Sequence, residues 1–507
     1  MNGAEAVLRT LAASGVRTCF ANPGTSEMHL VSALERVGDV HGVLTLFEGV
    51  ASGAADGYGR MADVPAATLL HLGPGLGNAF ANLHNAYKAR TPIVNVVGDH
   101  AVLHEPLGAP LATDIESVAR PCSHWVRTTR NARTAPTDAA LAARAGGVAT
   151  LILPADAGWG QSLGPAPPLP QAVRPRVPEE AIVEAARALR SGEPCALLLG
   201  TPATREAGLC LAARVADATG ARMIRDTFPA RFARGGSRPR PQLLPYLTEL
   251  AVETLAGLSH LILVGTQPPV GFFAYPDKPS LLYAPETNLI ALASAEEDAL
   301  AALEALADAV GATRDPAVEP VERPAVPEGP IDVATFAAVV GATLPEGAIV
   351  VDEAVTGSFL LPDATAGAPE HDWLFLTGGS IGWGPPVATG AAVACPDRPV
   401  LNLEGDGSAM YTIQALWTQA RESLDVTTVI LANRSYAILQ FEMARVGAEA
   451  GEAVRDLLEI GRPALDFVGL AQSMGVPGKR VEDAPALAKA ISEAIAEPGP
   501  HLIEAVL

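Results

Sequence analysis

The most informative part of the sequence is residues 400–436, which read VLNLEGDGSAMYTIQALWTQARESLDVTTVILANRSY. Apolar runs at Val400–Leu403 and Thr427–Ala432 predict two short buried strands. Between them, apolar residues recur at helical spacing and predict an amphipathic helix that begins on a Gly-Ser turn. A strand–helix–strand unit of this kind is typical of parallel strands, whose carboxyl ends lie at the same edge of the sheet. Because ligands of such sheets bind beyond that edge, functional residues are expected in the loops that follow strands.

Two proline-rich segments, 164–178 and 315–330, divide the chain into parts 1–163, 179–312 and 331–507. Each part alternates short apolar strands with helical segments. We therefore predict an α/β fold of three domains, each a mainly parallel sheet flanked by helices. The other predicted strands are Val16–Ala21, Ala67–Leu72, Ile93–Val97, Ala196–Leu199, Leu261–Val264 and Ala348–Val351.

The composition limits the class of protein. A chain of 507 residues is too long for one hydrophobic core, and 49% hydrophobic with 18% charged residues is typical of a well-buried globular enzyme. The net charge of -21 argues against nucleic acid or an anionic membrane as a partner, since both attract clustered Lys and Arg. The segment Met1–Val7 has no basic region before an apolar run, and no stretch of about 18 uncharged apolar residues occurs. We expect a cytoplasmic protein with no secretory signal and no transmembrane helix.

The cysteines carry no metal or redox pattern. They are scattered, they form no CxxC motif, and each lies among apolar residues. We predict that they are reduced thiols in the core. They are Cys19, Cys122, Cys195, Cys210 and Cys395.

The loops after the two strands of residues 400–436 carry oxygen ligands. Asp406 lies in Gly405-Asp406-Gly407-Ser408, and its carboxylate suits a hard cation such as Mg²⁺. The glycines of this loop let a phosphate approach the backbone. Asn433 follows the second strand and adds a carboxamide oxygen, while the Ser435 carbonyl is a natural third ligand. Since either loop alone is also typical of an ordinary turn, the prediction of a metal and phosphate site depends on the pair.

This stretch resembles the binding motif of thiamine-diphosphate (ThDP) enzymes, and residues 405–418 are very similar to benzoylformate decarboxylases. The wider superfamily includes acetolactate synthases and pyruvate decarboxylases. The resemblance implies ThDP as cofactor, with Asp406, Asn433 and the Ser435 carbonyl as Mg²⁺ ligands. It also places Gly407, Ser408 and Tyr436 at the cofactor. Arg434 departs from the family pattern, in which a second asparagine follows the first.

The first part of the chain supplies a candidate catalytic acid. Residues 47–60, FEGVASGAADGYGR, resemble the family's glutamate helix. Glu48 follows the apolar run Val43–Phe47, where burial favours an uncharged carboxyl. The resemblance implies that this carboxyl donates to N1′ of the cofactor's aminopyrimidine, favouring the imino tautomer that removes the C2 proton. Taken alone, a glutamate before an alanine-rich helix is usually a solvated helix start.

Two further positions match benzoylformate decarboxylases. Asn22-Pro23-Gly24-Thr25 resembles their NPGS loop, which implies that Thr25 takes the place of a substrate-binding serine. His71, at the end of a predicted strand, matches their first active-site histidine and is suited to proton transfer near neutral pH. A strand-end histidine is otherwise often a hydrogen-bonded structural residue.

In the third part, residues 378–383, GGSIGW, resemble the loop that surrounds the middle of the cofactor. The resemblance implies that the Gly379 carbonyl accepts from the 4′-amino group and that Ile381 bends ThDP into a V shape. Thr356, after the strand ending at Val351, is a candidate to hold the diphosphate. An isoleucine at this position can equally be a simple core residue.

The substrate pocket departs from the known families. Phenylalanine at Phe273 lies where benzoylformate decarboxylases carry a second histidine, and Glu442 lies where they carry phenylalanine. Trp383 and Leu439 complete the predicted pocket. The Phe-Gln pair of acetolactate synthases is absent from residues 109–115, and the middle part shows no clear FAD pattern, so FAD is not expected.

We therefore predict a ThDP- and Mg²⁺-dependent decarboxylase or carboligase of 2-oxo acids, similar to acetolactate synthase large subunits. A benzoylformate decarboxylase-like enzyme that releases an aldehyde is one alternative. A catalytically silent ThDP-binding paralogue or regulatory partner is another, and a nucleotide-binding module in the middle domain is a third. The family resemblance implies a homodimer or homotetramer with active sites shared between subunits.

Overall fold

The computed structural model describes residues 1–449 and 451–507. Three β-sheets, each covered by helices, lie in succession along the chain. The sheets are parallel apart from one antiparallel edge strand, which confirms the predicted α/β class. The segments 163–178 and 313–330 contain no helix and no strand.

The first sheet has six parallel strands in the order β2-β1-β3-β4-β6-β5. The chain runs outward from β1 in both directions, so the topological switch point lies between β1 and β3. Short 3₁₀ turns occur at Thr25–Glu27, Glu105–Leu107 and Arg120–Cys122. The elements are α1 (Gly3–Ala13), β1 (Thr18–Ala21), α2 (Met28–Val37), β2 (His41–Leu44), α3 (Glu48–Ala62), β3 (Ala66–His71), α4 (Leu72–Ala89), β4 (Ile93–Asp99), α5 (Ile115–Ala119), β5 (Trp125–Thr128), α6 (Ala135–Arg144), β6 (Val148–Pro154) and α7 (Ala155–Trp159).

The second sheet has five parallel strands in the order β10-β8-β7-β11-β12, with its switch point between β7 and β11. One strand of this part of the chain, β9, leaves the sheet and joins the third one. The elements are α8 (Glu179–Leu189), β7 (Cys195–Leu199), α9 (Glu206–Thr219), β8 (Arg222–Arg225), β9 (Arg231–Arg234), β10 (Gln242–Leu243), α10 (Thr248–Leu255), β11 (His260–Val264), β12 (Asn288–Ala293) and α11 (Ala299–Val310).

The third sheet has seven strands in the order β17-β18-β16-β15-β13-β14-β9, with its switch point between β13 and β15. β9 pairs antiparallel with β14, so the middle of the chain closes one edge of this sheet. A 3₁₀ turn occupies Val355–Ser358. The elements are α12 (Val333–Thr343), β13 (Ile349–Glu353), α13 (Leu361–Ala364), β14 (His371–Phe375), α14 (Gly384–Ala394), β15 (Val400–Gly405), α15 (Asp406–Thr412), α16 (Ala415–Glu422), β16 (Val426–Ala432), α17 (Ala437–Arg445), α18 (Glu452–Leu458), α19 (Phe467–Ser473), β17 (Gly478–Val481), α20 (Ala484–Ala496) and β18 (His501–Val506).

The first and third domains meet where α3 crosses α14. Glycines make this crossing possible, because a Cβ on Gly57 would lie 2.0 Å from the Val387 carbonyl oxygen. A Cβ on Gly390 would lie 1.8 Å from the Ala54 carbonyl oxygen. Backbones at this separation leave no room for side chains, so the start of α3 and the start of α14 are held in a fixed relation.

The five cysteines are free thiols, three of them buried and two, Cys210 and Cys395, half-buried. Burial raises the pKa of Cys19 to about 12. Within residues 1–449 and 451–507, no helix is both long and apolar enough to cross a membrane.

Candidate functional site

The candidate metal ligands lie at the carboxyl ends of neighbouring strands of the third sheet. β15 and β16 are in register with Gly405 opposite Leu431, so Asp406 and Asn433 leave the sheet side by side. The Asp406 carboxylate accepts hydrogen bonds from the backbone N–H groups of Gly407 at 2.8 Å and of Arg434 at 2.6 Å. The loop after β16 is therefore bound to the loop after β15 through this carboxylate.

Burial raises the pKa of Asp406, and the N–H groups of Arg434 and Gly407 oppose that rise. The side-chain oxygen of Asn433 accepts from the N–H of Ser435 at 2.9 Å, which closes a tight turn after β16. The ring of Tyr436 lies over Gly407, where a Cβ would come within 2.5 Å of the tyrosine. Glycine is thus required at position 407 for the two loops to close on each other.

Strained backbone marks three loops of this region. Leu72, Val355 and Arg434 have φ angles of +53°, +53° and +58° although none is glycine. A β-branched residue such as Val355 adopts this conformation only where its surroundings impose it. The three residues follow His71, precede Thr356 and follow Asn433, so the strain coincides with three of the sequence-predicted positions.

Thr356 lies in the 3₁₀ turn after β13, beside the start of the Asp406 loop. A Cβ built on Gly405 would lie 4.0 Å from the side chain of Val355, in this turn, and 3.7 Å from the carbonyl oxygen of Glu353, at the end of β13. Ser408 is buried within α15, with its hydroxyl 3.5 Å from the same point. The turn that contains Thr356 therefore contacts the start of the Asp406 loop through Val355, and Ser408 lies at the same point.

Glu48 is the first residue of α3 and is 7% exposed. Its Oε2 accepts a hydrogen bond from the side-chain amide of Asn78 on α4 at 3.0 Å, which leaves Oε1 for a ligand. Gly75 packs beside Oε1, since a Cβ there would lie 3.4 Å away. The carboxyl is therefore buried and oriented, in contrast to a solvated helix start.

His71 lies at the end of β3, across the switch point of the first sheet from the loop after β1. Its Nδ1 is 2.9 Å from the Ser26 hydroxyl and 3.2 Å from Oε2 of Glu27. Glu27 is fully buried and also accepts from the N–H of Gly24 at 2.9 Å. Thr25, the predicted substrate-binding residue, is exposed in this loop, and the hydroxyl that reaches His71 belongs to its neighbour.

Sequence reasoning missed Ser26 and Glu27. The available signal was their position directly after the Asn-Pro-Gly turn at the carboxyl end of β1, where a switch-point loop is expected to carry function. Their pairing with His71 depends on β1 and β3 being neighbours in the sheet.

The loop 378–384 is bound from both domains. Asn85 of α4 accepts from the N–H of Ser380 at 3.1 Å and donates to its carbonyl at 2.8 Å. Asn82 of α4 donates to the carbonyls of both Gly49 and Gly382, at 2.9 and 3.1 Å. Within one chain, the start of the Glu48 helix and this loop are therefore neighbours. Gly379, with φ of +73°, and the half-buried Ile381 lie in the loop.

Trp383 does not join the predicted substrate pocket. It is fully buried, and its indole N–H donates to Asp56 of α3 at 2.8 Å. The guanidinium of Arg60 lies over its ring at 4.9 Å and pairs with Asp56. The indole therefore packs the first domain against the third.

The other predicted pocket residues, Phe273, Leu439 and Glu442, lie where the middle domain meets α17. Phe273 and Leu439 are exposed. Glu442 does not project as a free carboxylate, because it pairs with Arg445 at 2.8 Å and accepts from the hydroxyl of Tyr275 at 3.0 Å. Exposed aromatic rings surround this junction, and the tilted rings of Phe359 and Phe441 lie 6.1 Å apart between centres.

Two buried glutamates, Glu353 and Glu404, lie in the strands that lead into these loops. Glu353 ends β13 and is in register with Glu404 of β15. Burial raises the pKa of Glu353 to about 7, and burial together with the charge of Glu353 raises that of Glu404 well above its usual range. Since two adjacent buried carboxyls cannot both be charged at low cost, the pair retains a proton at neutral pH.

The switch point of the second sheet opens on a cavity of about 520 Å³. Loops after β7, β8 and β11 line it, together with residues of the first domain. Three of its arginines are neutralised: Arg60 pairs with Asp56, Arg205 with Asp63, and Arg231 with Asp372. The cavity is thus polar, with much of its positive charge already compensated.

These features define a class: an α/β protein of three helix-covered sheets, whose candidate site residues lie in loops at the carboxyl edges of the first and third sheets. The sequence matches the family models "Thiamine pyrophosphate enzyme, N-terminal TPP binding domain" over residues 1–117 and "Thiamine pyrophosphate enzyme, C-terminal TPP binding domain" over residues 366–505. It is also 54% identical to the "Putative acetolactate synthase large subunit IlvX" of Mycobacterium tuberculosis, over 100% of this chain and 99% of the relative. The chain belongs to the thiamine pyrophosphate enzyme family.

Two further relatives cover almost the whole chain. The benzoylformate decarboxylase of Pseudomonas aeruginosa is 28% identical over 97% of this chain and 96% of its own. The structure of a ThDP-dependent 4-hydroxybenzoylformate decarboxylase from Rhodococcus jostii RHA1 superposes with a TM-score of 0.86 at 26% identity, covering 100% of this chain and 99% of that one. All three sheets therefore have counterparts in a known ThDP enzyme.

The residues present fit the cofactor. Asp406, Asn433 and the Ser435 carbonyl are hard oxygen donors of the kind that Mg²⁺ prefers. No cluster of three or more His, Cys, Asp or Glu side chains that could hold a metal occurs in the described ranges 1–449 and 451–507, and the proposed ligand set contains a single carboxylate. The loop around Gly407 offers backbone without side-chain obstruction, as a diphosphate requires.

Proposed function

We propose that this protein is a ThDP- and Mg²⁺-dependent enzyme that decarboxylates 2-oxo acids and joins the product to a second carbonyl compound, as an acetolactate synthase-like large subunit does. One observation carries the proposal: Glu48 follows one strand of the first sheet and His71 ends another, Asp406 and Asn433 follow strands of the third, and each pair lies at the carboxyl edge of its sheet. The 54% identity with a relative named as a putative acetolactate synthase large subunit supports the same class of reaction.

ThDP, when bound, supplies a thiazolium that takes up the electron pair released as CO₂ leaves. The chain's own residues bind and orient the reactants. Asp406, Asn433 and the Ser435 carbonyl would hold Mg²⁺, and Thr356 and Ser408 are candidates to bind the diphosphate. Glu48, through Oε1, holds a proton at N1′ of the aminopyrimidine while Asn78 fixes the other oxygen. The loop 378–384 supports the middle of the cofactor.

His71 is the candidate to deliver or accept a proton at the substrate. Ser26 and Glu27 hold its Nδ1, so Nε2 is the nitrogen that is presented to a ligand. This arrangement favours a second candidate function, in which the product is protonated and released as an aldehyde by a benzoylformate decarboxylase-like enzyme. The full-length similarity to such an enzyme from Pseudomonas aeruginosa supports that alternative.

We expect the working enzyme to be a homodimer or homotetramer in the cytoplasm. Large apolar side chains are exposed near both halves of the site, with Leu46 at 49% and Tyr411 at 54%. Exposed apolar residues next to binding loops are typical of surfaces that another subunit covers. Light scattering during gel filtration measures the state directly, and a monomer that remains active would contradict a shared site.

The test is a panel of 2-oxo acids incubated with the protein, ThDP and Mg²⁺. We expect CO₂ release that requires ThDP, together with either an acyloin or an aldehyde as the carbonyl product. The ratio of the two products decides between the candidates. If no 2-oxo acid is turned over, exchange of the cofactor's C2 proton separates the possibilities: an enzyme accelerates it, whereas a silent paralogue does not.

Glu48→Gln is expected to lower the turnover number at least about a hundredfold, because proton transfer by a positioned carboxyl contributes about 10²–10⁴-fold. Glu180→Gln is the matched control, since Glu180 also lies in the first turn of a helix, α8, but is exposed. Equal activity of wild type and Glu48→Gln would refute the assignment of Glu48.

A further inference from the structure

We propose that Glu353 is a positioning residue that fixes the backbone around Ile381, so that this side chain can support the cofactor. The inference rests on the proposed function, because it assigns a task within the ThDP site. The side chain of Glu353 is buried and is not proposed to touch the cofactor. It acts by binding the backbone of residues 382–384.

The carboxyl of Glu353 binds three consecutive backbone N–H groups. Its Oε1 accepts from Gly382 at 2.8 Å, and its Oε2 accepts from Trp383 at 2.8 Å and from Gly384 at 2.5 Å. The carboxyl is 2% exposed, so water does not compete for these bonds. Three hydrogen bonds converge here on one buried side chain, and leaving these donors unpaired would cost the full desolvation of each.

The local sequence leaves α14 dependent on this residue. The helix begins at Gly384, and its N-cap Trp383 makes no capping hydrogen bond with its own side chain. Positions 385 and 386 are prolines, which have no N–H group to donate. The donors that remain at this helix end are the ones that Glu353 binds. An acid from β13 thus replaces the usual N-cap of α14.

Ile381 is consequently fixed on both sides. Asn85 binds the N–H and the carbonyl of Ser380 before it. After it, Glu353 binds the N–H of Gly382, while Asn82 and Thr412 bind the Gly382 carbonyl at 3.1 and 3.0 Å. A residue whose two neighbouring peptide groups are both hydrogen-bonded has little freedom to move. Its side chain can therefore act as a rigid support.

The same contact reaches the helix that begins with Glu48. α14 packs without side-chain separation on α3, the helix that begins with Glu48, through Gly57 and Gly390. Glu353 also lies in register with Glu404, which leads directly into Gly405 and Asp406. A shift of the α14 start is therefore expected to displace both the loop that carries Ile381 and the helix that begins with Glu48.

The first measurement uses the apoprotein and does not depend on activity. In wild type, the amide hydrogens of Gly382, Trp383 and Gly384 are expected to exchange slowly with deuterated solvent. In Glu353→Gln, whose amide group can accept at only one atom, their exchange is expected to be at least about tenfold faster. Rapid exchange of these amides in wild type would overturn the proposal even if the variant does not fold.

The second measurement uses the holoenzyme. Glu353→Gln is expected to lower kcat and the rate of proton exchange at C2 of ThDP by at least about tenfold, with KM changing less, because an interaction used for positioning in the transition state lowers kcat. Asp298→Asn is the matched control: Asp298 caps α11 by accepting from the N–H of Ala301 at 3.0 Å, far from these loops. It is expected to leave both rates unchanged.

The outcomes separate this inference from the proposed function. Faster amide exchange with unchanged kcat and C2 exchange would overturn the positioning role and make Glu353 a helix cap only. Unchanged amide exchange would overturn the contact itself. A wild type that binds ThDP but neither exchanges its C2 proton nor releases CO₂ would refute the proposed function, whatever the amides show.

Discussion

Arg60 joins all three domains through one buried side chain, so its replacement tests the packing of the whole molecule. Its guanidinium, 1% exposed, forms two 2.8 Å hydrogen bonds with Asp56 on its own helix. It also donates to the carbonyls of Ala230, in the middle part of the chain, at 3.2 Å and Phe375, in the third, at 2.7 Å. Arg60→Met keeps most of the side-chain volume and removes all of these bonds.

The expected loss of stability follows from what Arg60→Met leaves behind. Removing one partner of a buried ion pair costs about 3–5 kcal/mol, because the other charge remains buried and uncompensated. Asp56 keeps hydrogen bonds from the Thr91 hydroxyl at 2.5 Å and from the Trp383 indole at 2.8 Å. We therefore expect a cost near the lower limit, about 3 kcal/mol. The double variant with Asp56→Asn should lose less than the sum of the two single losses.

Urea unfolding followed by tryptophan fluorescence measures this loss, since Trp383 lies against Arg60. The matched control is Arg120→Met, which breaks the exposed pair between Arg120 and Glu116 and should cost less than about 1 kcal/mol. If Arg60→Met changes the free energy of the first unfolding transition by no more than the control does, the buried pair does not hold the domains together, and the reasoning is refuted.

Three further predictions concern packing, pH and metal. Gly57→Ala, whose Cβ would lie 2.0 Å from the Val387 carbonyl oxygen, should lower the unfolding free energy by about 1–3 kcal/mol, whereas Gly77→Ala, with open space around it, should change it by less than about 1 kcal/mol. Equal urea midpoints of the two variants would contradict this. The pKa of Glu353 is about 7 in the folded state and 4.5 in the unfolded chain, so the unfolding free energy should fall by up to about 3 kcal/mol as the pH rises between these values. Glu404 is the titratable group that faces Glu353 across the strands, and Glu353→Gln should flatten the dependence of the urea midpoint on pH. Saturating Mg²⁺ with ThDP should stabilise wild type by about 2.7 kcal/mol at a hundredfold excess over Kd, and Asp406→Asn should abolish the chelator-sensitive shift in Tm; an equal shift in the variant would exclude Asp406 as a ligand.

Much of the fold follows from local patterns that the sequence carries by itself. Short apolar runs between helical segments predicted parallel α/β sheets, and the observed strands β4, β15 and β16 agree with the predicted ones within two residues at each end. The loops after β2, β3, β15 and β16 carry the candidate residues because parallel strands place their carboxyl ends at one edge. These inferences need only the neighbours of each residue along the chain.

Other features were decided by contacts between segments far apart in the sequence. The antiparallel pairing of β9 with β14, the binding of His71 by Ser26 and Glu27, and the burial of Trp383 against Asp56 depend on which strands and helices become neighbours. The sequence named the cofactor loop around Ile381, but only the tertiary structure showed that Glu353 holds it. The physical reason is strand pairing: β13 and β14 must pair before a carboxyl at residue 353, where β13 ends, can meet the N–H groups at 382–384, in the segment that follows β14. Residue types and spacing specify the chemistry that is available, and packing decides which groups are brought together to use it.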